Sequence, residues 1–222
     1  MSFLLEFVRD PFTVGAIAPS SPALARVATA AVPRTGSPVV VELGPGTGAF
    51  TAAIQQRLAG RGRHIAVEVN PRFAQNLAAR YPAVDVVNAD ATDLQAVLAQ
   101  RGLSQADVVV SGLPWAAFGE DLQRHVLSSV VATLPPHGVF TTFAYVHTRW
   151  VASARHLLRS VRSLFDEVVL SRTEWANLPP AMVYYCRRPW PKPPSEPEVR
   201  SGRDRLPPPR RTRADVGVMG GA

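Results

Sequence analysis

The sequence has one cysteine, no long apolar run and no leader-like start. Cys186 alone excludes a disulfide framework and a cysteine-rich metal site. No stretch approaches the roughly 18 uncharged apolar residues that a membrane-spanning helix needs. The first residues, MSFLLEFVRDPF, carry early charges and lack a small-residue cleavage site, so we expect no signal peptide. These absences favour a cytoplasmic protein.

Acidic residues are scarce near the C-terminus, where positive charge collects. The 222-residue chain has a formal net charge of +7. Residues 187–222 contain nine basic and four acidic side chains, a net +5, which leaves +2 for the rest. A nearly neutral folded part argues against a broad nucleic-acid-binding face. The same 36 residues hold eight prolines and no apolar periodicity, so we expect a disordered tail.

Short β-branched runs alternate with helix-like stretches between residues 36 and 186. The seven strand-like runs are 38–43, 64–69, 84–88, 106–111, 139–143, 165–170 and 182–186. The helix-like stretches are 49–59, 71–80, 93–100, 121–133 and 149–163. Such alternation indicates a parallel sheet with helices on both faces. We predict a doubly wound, seven-stranded Rossmann-like α/β domain over 36–186, ending in a hairpin-like pair. Residues 1–35 form a helical extension before it.

A glycine-rich turn, ELGPGTG, follows the first predicted strand at residues 42–48. Its glycines allow a ligand to approach the backbone at the edge where open α/β sheets bind ligands. No Gly-Lys-Ser/Thr follows, so a P-loop is excluded. The Glu42 carboxylate would repel a pyrophosphate and favour a cationic amino-acid group. The candidate cofactor contacts in this turn are Glu42, Gly44, Pro45, Gly46, Thr47 and Gly48.

The second and third predicted strands also end near acidic residues. Glu68 could accept both hydroxyls of a ribose, or it could cap the helix that begins after Asn70. Asp90 could accept from an adenine amino group, or it could be the N-cap of the next helix. Three acidic positions at successive strand ends fit an adenosine-bearing ligand with a positively charged end. The neighbouring candidate contacts are Val69, Asn88, Ala89 and Ala91.

Together, ELGPGTG and the acidic strand ends resemble the S-adenosylmethionine (SAM) site of class I methyltransferases. The resemblance covers residues 36–186 and implies that SAM is the cofactor. Ser111-Gly112-Leu113-Pro114-Trp115, after the fourth predicted strand, resembles the loop that holds the acceptor in amino-methylating members. In nucleic-acid adenine methyltransferases that loop usually begins with Asn or Asp. Ser111 departs from that pattern, which puts adenine as the substrate in doubt.

Trp115 offers an aromatic face for a stacked base or an alkylammonium group, although it could also be ordinary core. The acceptor-site candidates, which the resemblance implies as the catalytic set, are Ser111, Leu113, Pro114, Trp115 and Tyr145. Ser111 also counts among the cofactor contacts. No residue stands out as a general base. The histidines outside the predicted strands show no metal-ligand spacing, so we expect no metal.

The segments 3–11 and 14–25 resemble bacterial phospholipid N-methyltransferases of the soluble, class I type, as does Thr142–Tyr145. In that family the segment GAIAPSS lies over the SAM pocket, and the preceding amphipathic helix touches the membrane. The implied lid residues are Ile17, Pro19, Ser20 and Ser21. The related rRNA adenine dimethyltransferases begin with a Gly-Gln-Asn-Phe-Leu type motif and add a basic helical domain. Neither feature is present in this sequence.

The resulting prediction is a SAM-dependent N-methyltransferase of phospholipid amines, of the phosphatidylethanolamine type. The open alternatives are an rRNA adenine N6-methyltransferase, a small-molecule N-methyltransferase, or a SAM-binding protein without transferase activity. Residues 2–9 have an apolar side that could bind weakly to a membrane, or could pack on the chain's own domain. The basic tail could add attraction to an anionic surface at the inner face of the membrane, or be a solvated extension. Nucleic acid is the less favoured partner.

Overall fold

The computed structural model describes residues 20–190. Seven strands form one sheet in the order β3-β2-β1-β4-β5-β7-β6. The strands are β1 (Val39–Leu43), β2 (Arg63–Glu68), β3 (Asp85–Asn88), β4 (Val108–Ser111), β5 (Val139–Tyr145), β6 (Phe165–Leu170) and β7 (Ala181–Pro189). The first five pair in parallel, and β7 runs antiparallel to both β5 and β6. The predicted seven-stranded α/β sheet with a terminal hairpin is therefore confirmed.

Between residues 20 and 190, six α-helices connect or flank these strands. They are α1 (Pro22–Ala28), α2 (Ala49–Leu58), α3 (Pro71–Arg80), α4 (Leu94–Ala99), α5 (Glu120–Thr133) and α6 (Ala152–Leu164). Three short 3-10 segments span Ala91–Asp93, Trp115–Ala117 and Val146–Trp150. At the start of α3, Asn70 Oδ1 accepts from the N–H groups of Arg72 and Phe73, and proline follows the cap. This is the capping geometry that the Asn-Pro pair predicts.

The sheet is buried on both faces because helices cover each of them. On β1, Val41 and Leu43 belong to the larger core cluster, which includes residues of α4, α5 and α6. Val40 belongs to a second cluster with residues of α1 and α2. Helix α1 is fixed to this second face by two side chains of the sheet: Tyr185 donates its hydroxyl to the Val27 carbonyl oxygen at 2.6 Å, and Thr141 Oγ1 donates to that of Ala28 at 2.9 Å.

Several boundaries differ from the predicted ones. Strand β7 continues to Pro189, three residues into the segment that we assigned to the tail, because Arg187 pairs with Val139 of β5. The helix expected over 149–163 starts only at Ala152, since a 3-10 segment and an extended Val151 precede it. The predicted membrane-contacting residues 2–9, the lid residues Ile17 and Pro19, and the tail from residue 191 onward lie outside the described residues.

Candidate cofactor and acceptor site

The backbones at the ends of β1, β2 and β4 are hydrogen-bonded to one another, and the turns that follow β1 and β4 lie in close contact. The Gly44 N–H donates to the Val67 carbonyl oxygen at 2.9 Å, and the Gly112 N–H donates to that of Leu43 at 2.8 Å. A Cβ atom on Gly112 would lie 2.6 Å from the Gly44 carbonyl oxygen. Gly112 is therefore needed for this approach. Gly112 was not among the predicted site residues, although its place directly after a buried strand was the available signal.

Gly46 lies at the open side of the glycine-rich turn. Its φ is +53°, a conformation that favours glycine, and a Cβ built on it would meet no atom within 4 Å. The Gly46 N–H donates to Glu68 Oε2 at 3.0 Å. The turn thus leaves open space next to the backbone of Gly46, beside the Glu68 carboxylate at the end of β2. This open cradle fits a ligand that packs against the glycine turn.

Glu68 holds the ends of β1 and β2 in place and is 5% exposed. Its Oε1 accepts from the Asn70 N–H at 2.9 Å, whereas the side chain of Asn70 itself caps α3. Burial raises the pKa of the Glu68 carboxyl, while the hydrogen bonds from Asn70 and Gly46 oppose that rise. Each carboxylate oxygen has two lone pairs, so these bonds leave Glu68 able to accept ligand hydroxyls as well.

Glu42 is fully buried beneath the glycine-rich turn. Its Oε2 accepts from Thr51 Oγ1 at 2.8 Å and lies 3.1 Å from His64 Nε2. The other side of that ring is held by Gln55, whose amide nitrogen lies 2.9 Å from His64 Nδ1. Thr51, His64 and Gln55 were not among the predicted site residues. The signal was the four-residue spacing of Thr51 and Gln55, which places both on one side of α2.

The second carboxylate oxygen, Glu42 Oε1, has no hydrogen-bond partner among the described residues although it is buried. Buried polar atoms are nearly always hydrogen-bonded, because leaving one without a partner costs free energy. An ammonium group of a bound ligand would satisfy this oxygen. The residues present therefore fit a cofactor with a cationic amino-acid end.

The end of β3 lies beside the end of β2. Asn88 Nδ2 donates to the carbonyl oxygens of Glu68 and Val69 at 2.8 and 3.0 Å, which joins the two strand ends. Asp90 Oδ1 accepts from the Thr92 N–H and hydroxyl at 3.0 and 2.9 Å, so Asp90 caps the 3-10 segment after β3. Glu42 and Glu68 thus lie at the ends of β1 and β2 and Asp90 follows β3, so the three carboxylates belong to adjacent strands at one edge of the sheet.

Trp115 departs from the expected open aromatic face. It is 2% exposed, and its ring contacts those of Phe118 and Phe140 with centroids 5.9 and 6.1 Å apart. Its indole N–H donates to Ser111 Oγ at 3.1 Å, and the Leu113 N–H donates to the same oxygen at 3.3 Å. The indole therefore belongs to the core, because neighbouring rings pack on it and Ser111 accepts its N–H. Ser111 is itself fully buried and supports the loop from inside.

The remaining acceptor-site candidates divide by burial. Leu113 is buried against the Gly44 turn, whereas Pro114 and Tyr145 are partly exposed. Tyr145 ends β5, and its ring stacks on that of His147 with centroids 5.6 Å apart. Burial raises the pKa of the Tyr145 hydroxyl. Tyr145 therefore remains a neutral hydrogen-bonding group at physiological pH.

The described part of the predicted lid is anchored at the same edge of the sheet. Ser21 caps α1 by accepting from the Leu24 N–H at 3.1 Å, and the Ser21 N–H donates to Asn177 Oδ1 at 2.8 Å. Asn177 is buried in the loop between β6 and β7 and was missed by sequence analysis. Ser20 precedes this anchor and is partly exposed.

Within residues 20–190, no three His, Cys, Asp or Glu side chains are grouped so that they could hold a metal ion. None of the helices in this range combines the length and apolar character needed to cross a membrane.

Sequence comparison gives two matches. Residues 40–138 match the family described as "Methyltransferase domain". The chain is also 40% identical over 188 residues to an ornithine lipid N-methyltransferase from Singulisphaera acidiphila. That alignment covers 83% of this chain and 94% of the relative.

Three solved structures share the fold at low sequence identity. A SAM-dependent O-methyltransferase from Thermotoga maritima has a TM-score of 0.60 at 12% identity, covering 83% of this chain and 72% of its own. A TehB-like SAM-dependent methyltransferase from Corynebacterium glutamicum has a TM-score of 0.55 at 16% identity, covering 83% and 96%. Human methyltransferase-like protein 13, in complex with SAH, has a TM-score of 0.53 at 19% identity, covering 75% and 78%.

These matches agree with the glycine-rich turn, the acidic strand ends and the strand order described above. They confirm the expected enzyme class and SAM as the cofactor. The chain belongs to the class I SAM-dependent methyltransferases, in the family that includes the ornithine lipid N-methyltransferase of Singulisphaera acidiphila.

Proposed function

We propose that this methyltransferase methylates the amine of a membrane-lipid headgroup, with phosphatidylethanolamine as the first acceptor to test. The observation that carries the proposal is the 40% identity to an ornithine lipid N-methyltransferase along 94% of that protein. The sequence resemblance to phospholipid N-methyltransferases supports the same class of acceptor. The relative's name favours ornithine lipid as a second acceptor of that class.

The cofactor would be held at the ends of β1, β2 and β3. Glu42 Oε1 would accept from the amino group of the methionine part, because this buried oxygen lies beneath the glycine-rich turn and has no hydrogen-bond partner among the described residues. Glu68 would accept the ribose hydroxyls beside Gly46, and Asp90 the adenine amino group. Bound SAM supplies an electrophilic methyl group on a sulfonium.

The protein's task in such a transfer is mainly alignment. The acceptor nitrogen would take the methyl group as the C–S bond breaks, the electron pair of that bond would stay on sulfur, and the methylated nitrogen would then release a proton to solvent. Positioning the nitrogen in line with the breaking bond removes most of the entropic barrier. The amine must arrive uncharged, and poorly solvated surroundings favour that form.

The acceptor would lie where the loop after β4 meets the end of β5. Pro114 and Tyr145 are the partly exposed candidates there, with Ser20 and Ser21 at the described end of the lid. We assign Ser111 and Trp115 the role of supporting the loop after β4, since both side chains are buried and hydrogen-bonded to each other. Leu113 shapes the cofactor side by contacting the Gly44 turn.

We further propose that the enzyme works as a peripheral protein on the inner face of the membrane. The apolar side of residues 2–9 and the basic segment after residue 190 would contribute to this attachment.

A direct test supplies purified enzyme with methyl-labelled SAM and either phosphatidylethanolamine or ornithine lipid in detergent micelles. The products are separated by thin-layer chromatography. We expect label in monomethyl- or dimethyl-phosphatidylethanolamine. Label in ornithine lipid alone would support lipid N-methylation but would make ornithine lipid, and not phosphatidylethanolamine, the acceptor. An enzyme that binds SAM by calorimetry and labels neither lipid would contradict the proposal.

A further inference from the structure

Three large apolar side chains stand out on the described surface. Leu178 is 80% exposed, Trp150 is 77% exposed and Trp175 is 75% exposed, more than any other large apolar side chain between residues 20 and 190. A single exposed apolar residue is ordinary, but three such large side chains, two of them tryptophans, in adjoining segments need an explanation.

All three belong to two neighbouring segments, 146–151 and 171–180, which we call the edge loops. The first follows β5, and the second joins β6 to β7. The Val146 N–H donates to the Pro180 carbonyl oxygen at 2.8 Å, and Tyr145 pairs with Ala181 where the first loop begins and the second ends. The edge loops therefore lie side by side at the end of β5, next to the proposed acceptor site.

The second edge loop is held in a defined shape despite its exposed side chains. The buried Asn177 lies between Trp175 and Leu178. Its Nδ2 donates to the Pro179 carbonyl oxygen at 2.7 Å, and its Oδ1 accepts from the Ser21 N–H. Asn177 is buried and well hydrogen-bonded while Trp175 and Leu178 face water. Poor packing of the loop therefore does not explain why these two side chains are exposed.

The charge around these side chains is positive. Arg149 and Arg172 lie in the edge loops and Arg155 in the first turn of α6, whereas Glu174 is the one acidic residue in 146–155 and 171–180. The three arginines are exposed, and none pairs with a carboxylate within residues 20–190. The Arg149 guanidinium lies 5.4 Å from the Trp150 ring centroid.

Tryptophan beside arginine suits the boundary between lipid headgroups and acyl chains. The ring has an apolar body with one polar N–H, and the guanidinium can reach phosphate while its stem stays apolar. Tryptophan is enriched at membrane interfaces for this reason. The excess of positive charge selects an anionic surface.

We propose that the edge loops dock the enzyme on an anionic phospholipid bilayer and place the acceptor site at the headgroup layer. This inference rests on the proposed lipid acceptor, which would then be reached without leaving the membrane. It assigns membrane contact to residues other than 2–9 and the C-terminal segment.

The test compares two variants of the full chain. One carries W150S, W175S and L178S together. The matched control is Trp190→Ser, because Trp190 is 53% exposed and lies after the far end of β7, where its N–H donates to the Leu164 carbonyl oxygen. Each is sedimented with vesicles of phosphatidylcholine alone or with added phosphatidylglycerol.

We expect the triple variant to lose at least about tenfold in affinity for the anionic vesicles, and the control to bind like the wild type. A wild-type blue shift of tryptophan fluorescence on vesicles should persist in the control and vanish in the triple variant. SAM affinity and methyl transfer to lipid in detergent micelles should be unchanged in both variants, which shows that each folds.

The two proposals fail separately. Equal vesicle binding by the triple variant and the control, with micellar activity intact, would overturn docking by the edge loops and leave lipid methylation standing. If the wild type methylates no lipid in micelles, the proposed function fails, and the sedimentation result still decides whether the edge loops bind the bilayer.

Discussion

His64 Nε2 lies 3.1 Å from Oε2 of Glu42 within the buried sheet face beneath α2. The network assigns the ring hydrogen, because the Gln55 amide nitrogen lies 2.9 Å from Nδ1. With that amide donating, Nε2 carries the hydrogen and donates to Glu42. One carboxylate oxygen is thereby fixed by His64 and Thr51, while the other is left for a ligand.

Replacing Glu42 tests this account of the cofactor site. Glu42→Gln removes the charge that would pair with the amino group of SAM, and a hydrogen bond to a charged group is typically worth about 1.5–3 kcal/mol. We expect SAM affinity, measured by calorimetry, to fall about tenfold to a hundredfold. Thr51→Val removes one bond to the opposite oxygen and should have a smaller effect. Wild-type affinity in Glu42→Gln would contradict the assignment.

SAM binding should also depend on pH through Glu68. Burial raises the pKa of this carboxyl above its usual 4.5, and the ionised form is the better acceptor for ribose hydroxyls. Affinity should therefore weaken on acidification, in a pH range above that of an ordinary glutamate. Glu68→Gln should bind more weakly at neutral pH and lose this part of the dependence. Identical calorimetric pH profiles for the two proteins would rule out the role of Glu68.

Gly112 should tolerate no side chain. In Gly112→Ala the new methyl would lie 2.6 Å from the Gly44 carbonyl oxygen, so the two turns would have to separate. Such overpacking costs about 1–3 kcal/mol of unfolding free energy, and we expect weaker SAM binding with it. Gly119→Ala is the control, because a Cβ there meets no atom within 4 Å and its φ of −65° suits alanine. Equal urea midpoints for the two variants would refute the close contact.

We expect substitution of Trp115 to lower the free energy of unfolding rather than to act directly on methyl transfer. Trp115→Phe keeps most of the packing but loses the hydrogen bond to Ser111, and we expect a loss of about 1 kcal/mol in urea unfolding. Trp115→Ala should cost about 3–5 kcal/mol because it leaves a cavity. Should Trp115→Phe instead retain full stability and impair only kcat/KM for the lipid, the open-face interpretation would be restored.

The sequence predicted the sheet and the cofactor edge because their signals are local. A β-branched run, a glycine turn and a helix cap each depend on a few adjacent residues, as at Glu42 to Gly48 and at Asn70. The alternation of strands and helices then indicates a parallel sheet covered on both faces, although it does not determine the order of the strands. These features place Glu42, Glu68 and Asp90 at one edge.

The burial of Trp115 and the contact between His64 and Glu42 could not be predicted in the same way. Trp115 is buried because Phe140, a residue of another strand, packs on its ring. His64 meets Glu42 through the register of β1 against β2. Both depend on tertiary packing, for which a single aromatic or histidine in the sequence carries no signal.

Methyl transfer from labelled SAM to a total lipid extract, with ribosomal RNA as a parallel acceptor, tests the central claim most directly. The lipids are resolved by thin-layer chromatography and the RNA on a gel. The account predicts label in an N-methylated lipid and none in RNA. Label in RNA alone, from enzyme that binds SAM, would contradict it.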